Sequence, residues 1–490
     1  MQLLTERYRK KIQGVISCYD RIVIHGTLPG FNYARGMASF LKSRNIRIFD
    51  YPRFAQKLRD DIRTNAEAIA KEHGIEIQFI QKTHIRKDDI VKNIIKERGA
   101  HPGLVAILSA MESCQAYKPW HDKRTHQTYL RYTQGKCLHY YFYFVDKTLG
   151  LCYLRVPTWC PFRLQFYYNG HSWLASRLTK NGIGYTLIDN GFVFIEDFNI
   201  AQELADSFRV KTLHHIIDSY AKLFCSIYEQ FNLSYHWSIM QAEYATDIVF
   251  KKQSDLEAIY DNLVRTAIHT VKPENIATFL GRKLHGLYQD DMGNNFNIRI
   301  EGSRIKHHMG SAAIKMYDKH KLILRIETTT NDISFFKHYR EVEQREGTTT
   351  RKYAHMKKNI YSLYDLQKLL CNANHRYLEF ISSIDDRTTG IKRLEKTSKS
   401  VEENGHSYKG FNFFNEEDLG ILQAIARGEF NINGFQNKNL RQHLVQKTSS
   451  QVSRILKRLH LHGLIKKIRD TYKYYPTKLG RIVIATGPVR

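Results

Sequence analysis

The sequence predicts a multidomain protein of mixed α/β and α+β class, and three observations carry that expectation. Strand and helix patterns alternate with Gly punctuation over the first 135 residues. Aromatic β-rich blocks mixed with helical stretches fill residues 136–384. A polar stretch then precedes short amphipathic helices and a basic hairpin. At roughly 100–200 residues per domain, 490 residues make room for two to four domains. The expected division is an N-terminal α/β domain at 1–135 and a β-rich α+β central domain at 136–384. A linker at 385–410 and a C-terminal domain at 411–490 follow.

In the first domain, Arg21-Ile22-Val23-Ile24-His25 is a short apolar run closed by Gly26 and by Pro29-Gly30. Helical patterns follow at 34–43, 54–73 (ended by Gly74) and 88–98, with strands at 46–49, 75–80 and 104–108. That alternation predicts a three-layer unit with a mostly parallel sheet, whose strand ends are where function usually sits. Asp20, His25 and Glu112 fall near such ends, where solvated loop residues would read the same way.

From His139 the character changes. His139-Tyr140-Tyr141-Phe142-Tyr143-Phe144-Val145 and Leu151-Cys152-Tyr153-Leu154-Arg155-Val156 flank Asp146-Lys147-Thr148-Leu149-Gly150, the pattern of a hairpin with aromatics on both faces. Two readings fit: a stacking platform for unpaired bases beside Arg155, Arg163 and His139, or a strand buried on both sides. Helices are expected at 199–230, 255–285 and 363–383, and β structure at 297–331. Glu243 and Asp247 would share one helix face if that segment is helical, offering metal ligands or ordinary surface carboxylates. Phe335-Phe336-Lys337-His338-Tyr339-Arg340 suits a nucleic-acid surface or an amphipathic helix.

Composition restricts the partners. Lys+Arg number 75 against Asp+Glu 48, a formal net charge of +27, which favours polyanions and the release of their counterions. No apolar run approaches the ~20 residues needed to cross a bilayer, and no signal-peptide layout opens the chain. The expectation is a cytoplasmic protein with no membrane partner; DNA is the expected ligand, structured RNA a second, and oligomers are compatible. The seven cysteines are scattered without a C-x-x-C pair, so a zinc ribbon is not supported and core thiols are expected.

The C-terminal segment carries the most specific pattern. Glu416–Arg427 is amphipathic and stopped by Gly428, and a second helix fits Asn437–Leu444. A third opens at Ser449-Ser450 and buries Val452, Ile455, Leu456 and Leu459. Ser453, Arg454, Lys457 and Arg458 are left outward. Leu464-Ile465-Lys466-Lys467-Ile468-Arg469, a turn at Asp470-Thr471 and Tyr472-Lys473-Tyr474-Tyr475 then read as a basic two-stranded wing. This layout resembles the winged helix-turn-helix of MarR-like bacterial regulators. The resemblance implies a third helix in the major groove and a wing on the backbone. Ser450, Gln451, Arg454, Lys457, Arg458, Lys466, Lys467, Arg469 and Lys473 would then contact DNA. A protein-interaction role is the alternative.

One central block suggests chemistry. Gly302-Ser303-Arg304-Ile305-Lys306-His307-His308 precedes Ile314-Lys315-Met316-Tyr317-Asp318-Lys319 and Leu322-Ile323-Leu324-Arg325-Ile326-Glu327. Alternation puts Ile314, Met316, Leu322, Leu324 and Ile326 on one face and Lys315, Tyr317, Lys319, Arg325 and Glu327 on the other. Cations beside a Tyr hydroxyl are expected to lower its pKa, and Glu with His can hold a divalent metal. The block resembles rolling-circle replication initiators of mobile elements, in which a tyrosine nicks one strand and stays attached to its 5′ end. The resemblance implies Tyr317 as nucleophile, Glu327 as a metal ligand, and Lys319 and Arg325 as phosphate-binding groups; His308, approaching from the preceding strand, could join Glu327 in holding Mg²⁺ or Mn²⁺. The family's His-hydrophobic-His pair is absent. A sheet face that grips phosphate without cutting explains the same residues. The rival functions are a large transcription regulator without catalysis and an RNA-binding ribonucleoprotein component.

Overall fold

The computed structural model describes residues 3–82, 84–231, 233–284, 288–299, 302–344, 346–385, 396–413, 415–427, 430, 434–469, 471–477, 479–481 and 483. They form two compact units, Gln2–Phe380 and Ile381–Arg490.

The first unit is mixed α/β and organised by a large sheet. Its strands are Ile12–Thr27 (β1), Ile77–Phe79 (β2), Gly103–Asp122 (β3), Gln127–Asp146 (β4), Gly150–Pro157 (β5) and Leu164–Asn169 (β6). A small hairpin, Tyr185–Ile188 (β7) and Gly191–Ile195 (β8), stands apart before His236–Phe250 (β9). Met292–Arg299 (β10), Gly302–Met309 (β11), Ala312–Lys319 (β12) and Ile323–Thr330 (β13) return to the sheet. Among the described residues the order is β10-β11-β12-β13-β9-β1-β6-β5-β4-β3-β2.

This arrangement changes several expectations. Among the described residues only the β2–β3 pair is parallel; the other pairings of this sheet are antiparallel. The physical reason is connection length: tight turns such as that between Asp122 and Gln127 reverse the chain, whereas parallel neighbours need long crossovers. The strand expected at 104–108 is the start of a much longer β3, and residue 135 falls inside β4. Residues 46–49 form no strand; the 3-10 turn Ile48–Asp50 leads there into the helix Tyr51–His73. Glu243 and Asp247 lie on strand β9, not on a helix. Residues 337–340 belong to Lys337–Glu343 (β14), paired with Thr349–His355 (β15).

Helices cover the sheet where the pattern expects apolar stripes. In Tyr51–His73, Ala55, Leu58, Ile62, Ala66 and Ile69 recur at helical spacing and are buried. Gly74, at φ 61°, closes that helix in the left-handed region that favours glycine. Phe142 and Phe144 stack on Phe224 and Tyr220 of the helix Val210–Phe224, at 4.4 Å and 3.9 Å between centroids. Each such buried ring contributes roughly 1.5–3 kcal/mol. Behind the central strands, Asn374 of the helix Leu363–Asp385 donates to the Tyr244 carbonyl at 3.0 Å and accepts from Thr328 Oγ1 at 2.6 Å.

In the second unit, the expected linker lies partly outside the described residues (386–395). Its later part is ordered as a hairpin of Val401–Glu403 (β16) and His406–Tyr408 (β17). Helices Glu416–Ile425, Asn437–His443 and Ser449–Leu461 follow. Then Ile465–Lys467 (β18) pairs antiparallel with Tyr474–Pro476 (β19). Ile421, Leu422, Ile425, Leu440, Val452, Leu456, Leu459 and Leu464 form their common core. The N-cap of the third helix is Thr448, whose hydroxyl accepts from the Gln451 N–H while the Gln451 side chain accepts from the Thr448 N–H. Gly428, Asp470 and Lys478 lie outside the described residues.

Candidate active site

Strands β12, β13, β9, β1 and β6 bring one polar face together. Cross-strand partners share a face, and the registers Tyr317↔Arg325, Lys315↔Glu327 and Arg325↔Asp247 put these five side chains side by side. On β1, Asp20 and Arg21 together oppose the single residue Glu243 of β9, between the pairs Tyr19↔Tyr244 and Ile22↔Ala242. Alternation from the pairs Ile16↔Asp247 and Cys18↔Ala245 puts Asp20 on the face of the cluster, and the bulge sets Arg21 opposite Glu243 beside it.

At the centre lies Arg325, fully buried. Its guanidinium binds Asp247 with two bonds of 2.6 Å and Asp20 at 3.2 Å, and donates to the Asn190 carbonyl at 2.5 Å. It also reaches His171 Nε2 at 3.0 Å. Burial disfavours a charged His171, but Asp20 Oδ1 at 3.3 Å from Nδ1 and Asp247 Oδ2 at 3.5 Å from Nε2 help hold its pKa well above the usual imidazole value. Asn169 donates to Asp20 at 2.6 Å and caps the helix Gly170–Lys180 with its side-chain oxygen. At Gly170 a Cβ would stand 2.0 Å from the Tyr19 carbonyl, so glycine lets that helix approach β1 and bring His171 in. Asn190, in the β7–β8 turn, donates to both Asp20 oxygens at 2.7 Å and accepts from Lys319.

Burial opposes ionisation of both aspartates, but Arg325 overrides it for Asp247 and holds that carboxyl down to about 2. For Asp20, His171 and Arg325 lower it further still. Arg325 is therefore consumed by internal carboxylates, which corrects its expected role as a phosphate-binding group: a buried guanidinium is retained where paired charges surround it. Burial, reinforced by Arg325, lowers the pKa of Lys319.

Beside this network lies a second, more open group. The Tyr317 hydroxyl donates to Glu327 Oε2 at 2.5 Å, and Lys315 Nζ donates to Glu327 Oε1 at 2.6 Å. Lys315 also stands 3.8 Å from Glu243. Ligand oxygens of Asp20, Glu243 and Glu327 all lie within 4.8 Å of one another. Burial, then repulsion from Glu327, pushes the Glu243 carboxyl up to about 7. Such excess negative charge is what a hard cation would neutralise, and three carboxylates are the donor set that Mg²⁺ or Mn²⁺ takes. Tyr317 shows the opposite of the expected shift. Burial and the adjacent Glu327 raise its pKa well above the usual phenol value, outweighing Arg325.

His308 does not join Glu327; its Nε2 lies 3.0 Å from Asp291, while His307 points into the opposite side, against Tyr377. Glu112 lies farther along the sheet, bound to Lys87 at 2.8 Å and to Tyr141 at 2.7 Å. Tyr141, Tyr143 and Tyr153 are buried, so those rings present no platform to bases; tight packing with the helix Lys87–Arg98 covers them. Sequence reasoning missed Asn169, His171 and Asn190, whose only local signals are two Asn-Gly pairs, one at the start of a helix and one in the β7–β8 turn.

In the second unit, Ser450, Gln451, Arg454 and Lys457 are exposed on the third helix, and Lys466, Lys467, Arg469 and Lys473 on and around the β18–β19 hairpin. Lys457 lies 3.2 Å from Glu403. Arg458 departs from its expected role. It binds Asp418 through two bonds of 2.7 and 2.9 Å, donates to the Lys409 and Gly410 carbonyls, and stacks over Phe411. Among the described residues no helix is long and apolar enough to cross a membrane.

Compared with protein-family models, curated proteins and solved structures, the chain finds no match.

Proposed function

We propose that this chain acts on DNA: a metal-assisted, tyrosine-based nickase of the replication-initiator type, docked on duplex by a C-terminal winged helix-turn-helix. The observation that carries the chemistry is the 2.5 Å hydrogen bond from Tyr317 to Glu327, within a set of carboxylates spaced for a divalent cation. Support for the docking reading comes from three helices, an antiparallel hairpin and a row of exposed cations. The charge of +27 fits a polyanionic partner.

In this reading Asp20, Glu243 and Glu327 hold Mg²⁺ or Mn²⁺, which when bound neutralises phosphoryl oxygens. Glu327 accepts the proton of Tyr317, whose raised pKa keeps the resting hydroxyl intact until a base takes it. The tyrosine oxygen then bonds to phosphorus, the bond to the 3′ oxygen breaks, and that oxygen takes a proton from water. The product is a 5′-phosphotyrosine and a free 3′ hydroxyl. Lys315, released from Glu327, is the cation placed to meet the phosphate.

The test incubates full-length protein and Mn²⁺ with labelled single-stranded and supercoiled DNA carrying its flanking sequences. Nicking and an SDS-resistant adduct are expected from wild type, and neither from Tyr317→Phe, which keeps binding. Intact binding by wild type without nicking or adduct under any divalent metal would overturn the chemistry. It would leave a DNA-binding regulator or a ribonucleoprotein component.

A further inference from the structure

The outer half of the β3–β4 hairpin extends beyond the strands beside it: β5 pairs with β4 only from His139 to Asp146. Residues 113–136 contain five Lys or Arg (Lys118, Lys123, Arg124, Arg131 and Lys136) against one carboxylate, Asp122. That carboxylate is occupied by the backbone N–H groups of Arg124 and Thr125, at 2.8 and 3.3 Å. Trp120 and Tyr129 are directly paired across the hairpin and are 44% and 40% exposed. Lys118 pairs with Arg131 in the adjacent same-face position, and the Arg131 guanidinium lies 5.5 Å over the Trp120 ring. On the other face, Tyr117 and Leu130 are buried and anchor the hairpin, while Tyr132, the partner of Tyr117, is exposed. By alternation, Trp120 and Lys118 share the face of Glu112. The registers Tyr141↔Arg155, Arg155↔Gln165 and His25↔Gln165 continue that face toward β1 and the Asp20 cluster.

Exposed large rings are costly to leave in water, and here they alternate with cations on a surface with little negative charge. We infer that this hairpin is a binding site for single-stranded DNA, with unpaired bases stacking on Trp120 and Tyr129 and phosphates held by Lys118 and Arg131. Unpaired bases offer their π faces to such rings, whereas duplex bases are stacked on one another, and each base–ring contact is a sizeable part of single-strand affinity. The inference rests on the reading of the chain as a DNA-acting protein, and supplies a grip for the strand independent of the Tyr317 chemistry.

The experiment measures anisotropy of a fluorescein-labelled oligo(dT) with the full chain over a salt series. Trp120→Ala is expected to weaken binding about 5- to 150-fold, with Trp120→Phe close to wild type and melting temperatures unchanged. Lys118→Ala with Arg131→Ala is expected to reduce the salt slope by about 1.4, two single-strand contacts at about 0.7 each. Tyr317→Phe should bind oligo(dT) like wild type. If Trp120→Ala binds as tightly as wild type, or if oligo(U) binds more tightly than oligo(dT), the assignment falls. A wild-type protein that never nicks, yet loses oligo(dT) when Trp120 is removed, refutes the chemistry and keeps the hairpin site.

Discussion

Tyr317 and Glu327 face each other diagonally across β12 and β13, their oxygens 2.5 Å apart, and the register fixes that approach before any ligand arrives. Glu327 is nearly inaccessible and shares its second oxygen with Lys315. A tyrosine held this way has one exit for its proton, toward Glu327. Glu327→Gln should therefore abolish cleavage as completely as Tyr317→Phe. If Glu327→Gln retains more than about a tenth of the wild-type nicking rate, Glu327 is not the acceptor.

Metal binding can be separated from activity. Glu243 is less enclosed than Asp20 or Glu327 and accepts a 2.9 Å hydrogen bond from Gln241. Glu243→Gln thus removes a charge while preserving shape and fold. Calorimetric titration with Mn²⁺ should show one bound ion in wild type and at least tenfold weaker binding in the variant. Equal affinities would mean that the carboxylate set holds no ion.

Arg325 should matter for stability first. Its removal leaves Asp20 and Asp247 facing each other in a dry interior, and breaking such a buried pair costs about 3–5 kcal/mol. Arg325→Met should lower the midpoint of urea unfolding accordingly. Unchanged stability would contradict the central network.

Histidines set an acid limit. Burial, then the nearby His308, lowers His307 to about 3; burial, then Arg163 and Arg155, lowers His25 to about 4. His307 is satisfied as a neutral ring, with Asn294 Oδ1 at 2.7 Å on Nδ1 and the Tyr377 hydroxyl at 2.9 Å on Nε2. Both folded pKa values lie below the unfolded value near 6.5, so the unfolded chain binds more protons. Stability is full above about pH 6.5 and falls toward pH 4 by about 1.4 kcal/mol per pH unit for each histidine. His307→Leu should flatten the stability–pH slope by one proton, whatever it does to stability at pH 7. An unchanged slope would place His307 protonation elsewhere.

Local pattern and long-range assembly were unequally legible in the sequence. Alternation correctly placed Lys315, Tyr317, Lys319, Arg325 and Glu327 on one face, because strand periodicity is a property of a few neighbouring residues. It could not show that β9 lies beside β13 and β1 beside β9. Asp20, Glu243 and Glu327 are far apart along the chain, and only the sheet order joins them. The assignment of His308 beside Glu327 failed for that reason: His308 is drawn to Asp291. Glu243 and Asp247 share a face on a strand as they would on a helix, since a separation of four residues satisfies both periods approximately. The parallel sheet was misjudged because strand–helix alternation was read over too short a window to see the long β3–β4 hairpin.

The two arginines of the third C-terminal helix should behave in opposite ways. Arg454 is exposed with Lys457 on the side away from Val452, Leu456 and Leu459. Arg458 is one step round from the buried stripe, close enough to reach Asp418 and the Lys409 and Gly410 carbonyls. Replacing Arg454 and Lys457 by Ala should leave the melting curve of the full chain nearly unchanged, because the Lys457–Glu403 pair is exposed and screened by solvent. Duplex affinity should fall, and the log–log salt slope should shrink by about 1.8, two lost phosphate contacts at about 0.9 each. Arg458→Ala strands a buried carboxylate and two carbonyls, and should destabilise its unit by about 3–5 kcal/mol. Binding by the molecules that remain folded should keep the wild-type salt slope. An Arg454/Lys457 variant that binds duplex with wild-type affinity and slope would move the docking surface off this helix. An Arg458 variant that loses slope without losing stability would return Arg458 to the DNA.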